Sequence, residues 1–248
     1  MRKILLSALF AAISAGTMAG NYLEGVEYYA RIGYSIGGTA PLPMPPSVRK
    51  LNHFSLSPNF LFGADAVKPL HDQWSVMVGI RFENKGMDEE VQVKSYHMAM
   101  QRGGEALVGR FTGNVATHVK AWQATLPVQA LFKLNNVNLR FGPYFSYVLF
   151  NTFRGSAYGG YLRLGDPTGG KVNIGTDPGT QGVYDFTSDM RHFQWGLGLG
   201  ADWYFYRRLG ASADITWGLN GVHKTAFKTI EQTLHPIYFT LGMVYKIH

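Results

Sequence analysis

The chain has 248 residues, a formal net charge of +7, 30 glycines, 14% aromatic residues and only 16% charged residues. It has no cysteine, which excludes a disulfide framework, thiolate metal sites and a lipid-modified N-terminal cysteine. Its basic residues are scattered with no run among them, which argues against a nucleic-acid footprint, and so little charge suits a surface that faces lipid better than one that is wet all round.

Residues 1–19 read as a secretory signal. Arg2 and Lys3 form a positive start, Ile4 to Ala15 is apolar, and Thr17 and Ala19 supply small residues before a cleavage site. The apolar run is shorter than the roughly 20 residues a spanning helix needs. Of the +7, Arg2 and Lys3 leave with the signal, so +5 remains on a single expected domain, 20–248. No later apolar stretch approaches helical spanning length.

From there the chain is dominated by alternation at period two, the signature of strands with two unlike faces. Segments 27–38 and 52–65 are the first, less regular strands. From Gln73 to Glu83, one face carries Trp74, Val76, Val78, Ile80 and Phe82, and the other Arg81 and Glu83. Segments 118–134 and 137–150 follow. From His192 to Tyr206, Phe193, Trp195, Leu197, Leu199, Ala201, Trp203 and Phe205 oppose a face of glycines, Gln194 and Asp202. From Leu209 to Asn220, Ile215, Trp217 and Leu219 oppose Ser212, Asp214 and Thr216. From Ile237 to His248, Phe239, Leu241, Met243, Tyr245 and Ile247 oppose Thr240, Gly242 and Lys246. The expected fold is therefore all-β with eight strands.

The connections sort by length. Short ones fall at 66–72, 135–136 and 207–208, and long ones at 39–51, 86–117, 151–190 and 221–234. Brief turns at one end, long loops at the other and an even strand number describe an antiparallel outer-membrane barrel, with periplasmic turns and extracellular loops. All five tryptophans, Trp74, Trp122, Trp195, Trp203 and Trp217, lie on the apolar face, where up-and-down strands gather them into two aromatic girdles. The competing soluble barrel would turn that face inward, but an eight-stranded interior is only wide enough for side chains to fill and has no room for five tryptophans and their phenylalanines.

The opposite face then lines the lumen. It holds Arg31, Arg81, Arg140 and Lys246 against Glu83, Asp202 and Asp214, with Gln123, Gln129 and Tyr144 between them. Mixed and nearly balanced signs in so narrow a space predict a plug of ion pairs, because an unpaired buried charge costs several kcal/mol. A narrow ion or solute pore is the alternative; a selective pore would show one sign.

Other motifs carry less. Gly196, Gly198 and Gly200 imitate a dinucleotide fingerprint without its strand–turn–helix setting. Asp166, Asp177, Asp185 and Asp189 offer calcium-type oxygens but lack regular ligand spacing, and Asp-Pro pairs are ordinary turn chemistry. His118, His192 and His223, with Asp189, are the basis of a rim-sited hydrolase reading, which lacks a visible nucleophile. Pro41 to Pro46 reads as a stiff loop over the rim. Pro58, Pro127 and Pro143 fall in expected strands, where a missing ladder bond calls for bulges or kinks.

Several patterns, Gly79-Ile-Arg-Phe-Glu-Asn-Lys-Gly86, Leu126-Pro-Val128, Phe141-Gly-Pro-Tyr144, Trp195-Gly-Leu-Gly-Leu-Gly-Ala-Asp-Trp203 and Arg208-Leu-Gly-Ala-Ser-Ala-Asp214, give the chain its family likeness. Over roughly 28–247 it resembles the PorT-like outer-membrane β-barrels of Bacteroidetes-type bacteria. That resemblance implies a small barrel without catalytic residues, tolerance of Pro127 and Pro143 in strands, and a partner role, since the namesake is associated with protein secretion across the outer membrane. The expectation is thus a non-enzymatic outer-membrane protein with no cofactor or metal. Its partners would be the membrane lipid, the barrel-assembly machinery during insertion, and a protein met by the outer loops. Barrels of this kind commonly end in an aromatic residue that the assembly machinery reads, and here His248 extends one residue beyond the alternation.

Overall fold

The computed structural model describes residues 24–41, 45–55, 57–230 and 233–247; the expected signal, its cleavage site and His248 lie outside them. Eleven strands make one antiparallel sheet: β1 (Glu27–Pro41), β2 (Val48–Ser55), β3 (Asn59–Pro69), β4 (Trp74–Arg102), β5 (Glu105–Leu134), β6 (Val137–Leu164), β7 (Lys171–Ile174), β8 (Gly182–Asp185), β9 (Phe193–Tyr206), β10 (Leu209–Gly218) and β11 (Leu234–Lys246). Eight of them, β1, β3, β4, β5, β6, β9, β10 and β11, pair in that order, and β11 returns to β1 through thirteen register pairs from Tyr29↔Lys246 to Pro41↔Leu234. The ring leaves no free edge.

The strands close because each has one face to expose and one to bury. Along β9, Gln194, Gly196, Gly198, Gly200 and Asp202 are buried, while Phe193, Trp195, Leu199 and Trp203 are exposed. Strands β1, β3, β4 and β10 alternate in the same sense. At one end the hairpins are tight. Asn135 and Arg207 turn the chain there with φ of 46° and 26°, as two-residue loops between twisted strands require.

Three corrections follow for the strand map. Segment 52–65 is not one strand: β2 ends at Ser55 and pairs with the outer part of β4, whereas the barrel strand is β3, 59–69. Pro58 therefore precedes a strand and lies outside it. Neither Pro127 nor Pro143 forces a bulge. The β4–β5 ladder passes from Val78↔Val128 to Arg81↔Thr125 in unchanged register, and β5–β6 passes from Pro127↔Tyr144 to Ala130↔Phe141 likewise. Gly79 leaves room beside Pro127, where a Cβ would meet first the Asp65 carboxylate and then the proline ring at 3.1 Å.

The largest correction concerns the long segments at the other end, which are mostly strand. β4, β5 and β6 run for 29, 30 and 28 residues, far beyond the ring, with a hairpin tip at Gly103 and Gly104. The three strands share one line of irregularity: register shifts at Val93/Tyr96 and Thr112/Asn114, with positive φ at Ser95, Gly113 and Gly159. Aligned bulges bend a sheet. Past this line the sheet curls until Val183 of β8 pairs with both Ser156 of β6 and Gln101 of β4. The curl encloses its own core, with Met98, Met100, Phe111, Leu162, Ile174 and Phe186 buried. The protein thus has a ring and, above it, an apolar cap.

Candidate functional site

The inward side chains are stacked in layers along the ring. At the turn end, Glu27 accepts from Lys246 at 2.7 Å, Lys133 at 3.1 Å and Tyr29 at 2.7 Å. Next comes an apolar layer of Tyr29, Val67, Met77, Leu131 and Val244. Above it lies a layer of three guanidinium groups and three carboxylates. Arg31 donates to Asp202 through both terminal nitrogens at 2.7 Å and through Nε to Asp65. Arg140, 1% exposed, donates to Asp202 at 2.9 and 3.0 Å, to Asp214 at 2.9 and 3.1 Å and to Gln129 at 3.2 Å. Arg81 stands further off, 3.7 Å from Asp214 and 4.0 Å from Asp65, and its Nε and Nη2 have no hydrogen-bond partner among the described residues. Glu83 follows, with Gln123 at 2.8 Å, Thr125 at 2.6 Å and Lys85 at 3.3 Å; Lys85 in turn lies over the rings of Tyr144 and Tyr238.

Small residues make this layer fit. A Cβ on Gly200 would approach Asp214 and Arg140 to 2.6–2.8 Å, and one on Gly63 would meet Arg81 at 2.9 Å. Of the β9 glycines, Gly200 is therefore space for the Arg140 guanidinium and Gly198 for the Gln129 amide, inside a strand and with no phosphate-binding turn near them.

The structure gathers Arg31, Arg81, Arg140, Asp202 and Asp214 into one layer and places Glu83 directly above it. Lys246 stands apart, near the turn end with Glu27. Sequence reasoning missed Asp65, Lys85, Glu27 and Lys133. Asp65 shares β3 with Leu61 and Val67 on its inward face, so that face is nearly as apolar as the outer one and the alternation is faint.

On the outer surface Trp74, Trp195, Trp203 and Trp217 are exposed and Trp122 is half-buried. Trp74 lies 4.8 Å from the Phe132 ring and Trp203 5.8 Å from Phe205 near the turn end; Trp122 stacks on Phe82 at 5.1 Å toward the other. From Phe132 to Trp122 is ten residues of β5, about 33 Å of strand, or roughly 25 Å of height at a tilt of about 40°. Just beyond Trp122 the same face becomes charged, with Lys120, His118, Asp88 and Glu90.

The sequence matches the family described as "Outer membrane protein beta-barrel domain" over residues 15–224. The chain belongs to this outer-membrane β-barrel family. It is an outer-membrane protein, and the cap lies on the side of the long connections, the extracellular side of such barrels. No curated protein matches it. Among solved structures it is similar to Ail, the attachment invasion locus protein of Yersinia pestis, in complex with the heparin analogue sucrose octasulfate (TM-score 0.40, 11% identity, 90% of this chain and 99% of that one). It is also similar to the translocator domain of the autotransporter NalP from Neisseria meningitidis (TM-score 0.22, 11% identity, 96% of each chain).

In this barrel the three rim histidines take separate partners. His118 pairs with Asp88; His192 bonds the Val148 carbonyl at 3.1 Å and stacks on Tyr147; His223 packs between Phe153 and Phe227. Burial lowers His223 to about 4, against a smaller opposite pull from Asp189. That constellation does not form a shared centre. The loop carboxylates are used in turns, Asp166 accepting from Thr168 at 2.7 Å and Asp185 from Thr187 at 2.9 Å, and no group of three metal-type ligands occurs among the described residues.

Proposed function

We propose that this outer-membrane barrel is a non-conducting, non-enzymatic platform that holds a partner-binding cap outside the cell. The observation that carries the reading is the layer of Arg31, Arg81 and Arg140 against Asp65, Asp202 and Asp214, which crosses the lumen with side chains almost wholly buried. Three charges of each sign cancel, so the lumen offers no single-sign path to an ion. The exposed tryptophans and their ring partners sit as girdles against the two lipid interfaces.

A partner role is supported by the cap itself. A folded, cored sheet outside the membrane is more than a barrel needs to close, and ordered surfaces recognise partners without a large ordering cost. The resemblance to the PorT-like barrels points to secretion or envelope assembly as the setting. Crosslinking in intact outer membranes, followed by identification of what is joined to the cap, checks this; a barrel recovered without any partner counts against it.

The decisive measurement is single-channel recording of the refolded protein in a planar bilayer, with the heat-shifted gel band confirming the fold. A silent bilayer is expected. Reproducible current steps that change with Arg81→Gln or Arg140→Gln would make the protein a pore.

A further inference from the structure

Three acids stand in a row on β4 just beyond the outer girdle. Asp88 takes His118 and Ser57, and Glu90 takes Asn52, all on the solvent side. Alternation turns the middle one, Glu89, the other way, into a cavity of about 430 Å³ between the ring and the cap. The walls there are Met87, Val91, Val115, Phe153, Tyr184 and Leu234, and nearly every other surface is apolar too. Among the described residues Glu89 makes no hydrogen bond or ion pair. Arg49 and Lys50 also border the cavity, but they are exposed on β2 at its mouth and pair with no acid inside it. A partly buried carboxylate in apolar surroundings without a partner is costly, and burial alone pushes Glu89 up to about 7.

We propose that this cavity binds a small apolar molecule bearing one amine, with its hydrocarbon against Met87, Val91, Val115 and Phe153 and its ammonium on Glu89. A cavity of this size with apolar walls and one polar anchor has the make-up of a small-molecule site. The charge decides the class of ligand. A cation beside Glu89 restores the ionised form, and a charge-assisted hydrogen bond is roughly twice as strong as one from a neutral hydroxyl. Methionine walls adapt to an unbranched chain. The site lies above the ion-pair layer, so it is independent of whether the lumen conducts.

The test uses the folded full chain in lipid nanodiscs, titrated calorimetrically with octylamine, octanol and octanoate, with empty nanodiscs as the partition control. Octylamine is expected to bind saturably, one per barrel, with octanol at least about ten-fold weaker and octanoate silent. Glu89→Gln is expected to remove the preference for the amine and keep octanol binding. Val91→Phe, which fills the cavity without altering the carboxylate, is expected to abolish binding of both. The proposal is overturned if the wild-type barrel binds amine and alcohol equally, if binding does not exceed empty nanodiscs, or if either variant leaves the amine preference intact. Each variant is scored only with its heat-shifted band present.

Discussion

Asp202 holds two guanidinium groups at once, Arg31 through a two-point contact and Arg140 through another, from strands that are far apart in sequence. Removing it leaves two buried cations with one carboxylate each, Arg31 with Asp65 and Arg140 with Asp214. Asp202→Ala is therefore expected to cost about 3–5 kcal/mol, the usual penalty for breaking a buried pair, read as a lower urea midpoint of the heat-shifted band. Arg81 and Arg140 look alike in sequence but differ in their bonds. Arg140 donates five hydrogen bonds, while two of Arg81's nitrogens donate none. Arg140→Gln should destabilise the barrel by several times the effect of Arg81→Gln in the same urea titration, since a guanidinium already short of partners loses little when replaced. Equal effects would mean that net charge in the layer outweighs hydrogen bonding.

The cap is a set of strand extensions stabilised by its own core, and the row of bulges at Ser95, Gly113 and Gly159 marks where it bends away from the ring. Phe111 is fully buried in that core. Phe111→Ala removes a large ring from a packed site, a change worth about 3–5 kcal/mol. The loss should be confined to the cap, because the ring strands hold their ladders without it. Limited proteolysis of the variant in liposomes should release cap fragments much faster than from wild type, with the heat-shifted band preserved. Loss of that band would show that cap and ring fold as one unit.

Across the molecule, two titratable groups, buried His223 in the cap and partly buried Glu89 beneath it, oppose each other in pH. His223 is held at about 4, below its ordinary 6.5, so its neutral form is favoured by folding; the stability it contributes is complete above about pH 6.5 and is lost as pH falls toward about 4. Glu89 is held near 7, above its ordinary 4.5, so its contribution is complete below about pH 4.5 and is lost as pH rises to about 7. Wild-type cap should resist protease best between these limits. Glu89→Gln should keep its resistance at and above pH 7 while still losing it on acidification, and His223→Gln should do the reverse. Pulse proteolysis from about pH 4 to 8 checks both arms.

Much of the ring was legible in the sequence because period-two alternation is a local signal. Each of β4, β9, β10 and β11 shows which face turns outward before any partner strand is known, and the tryptophans fall on that face. The charged residues of the lumen followed from the opposite face. Their pairing did not. Arg31 meets Asp202 from 171 positions away, a contact fixed by closure of β1 on β11 and by the stagger of the ring. Asp65 stayed hidden because Leu61 and Val67 share its inward face and blur the alternation of its strand. The cap stayed hidden for a different reason. Each bulge inserts a residue and shifts the alternation to the other face, so β4, β5 and β6 change phase within the cap, and segments 86–117 and 151–190 read as loops. Composition and alternation by themselves determined an outer-membrane barrel of eight strands; only the tertiary structure decided that three arginines and three aspartates meet across its lumen, and that Glu89 faces an apolar cavity with no partner among the described residues.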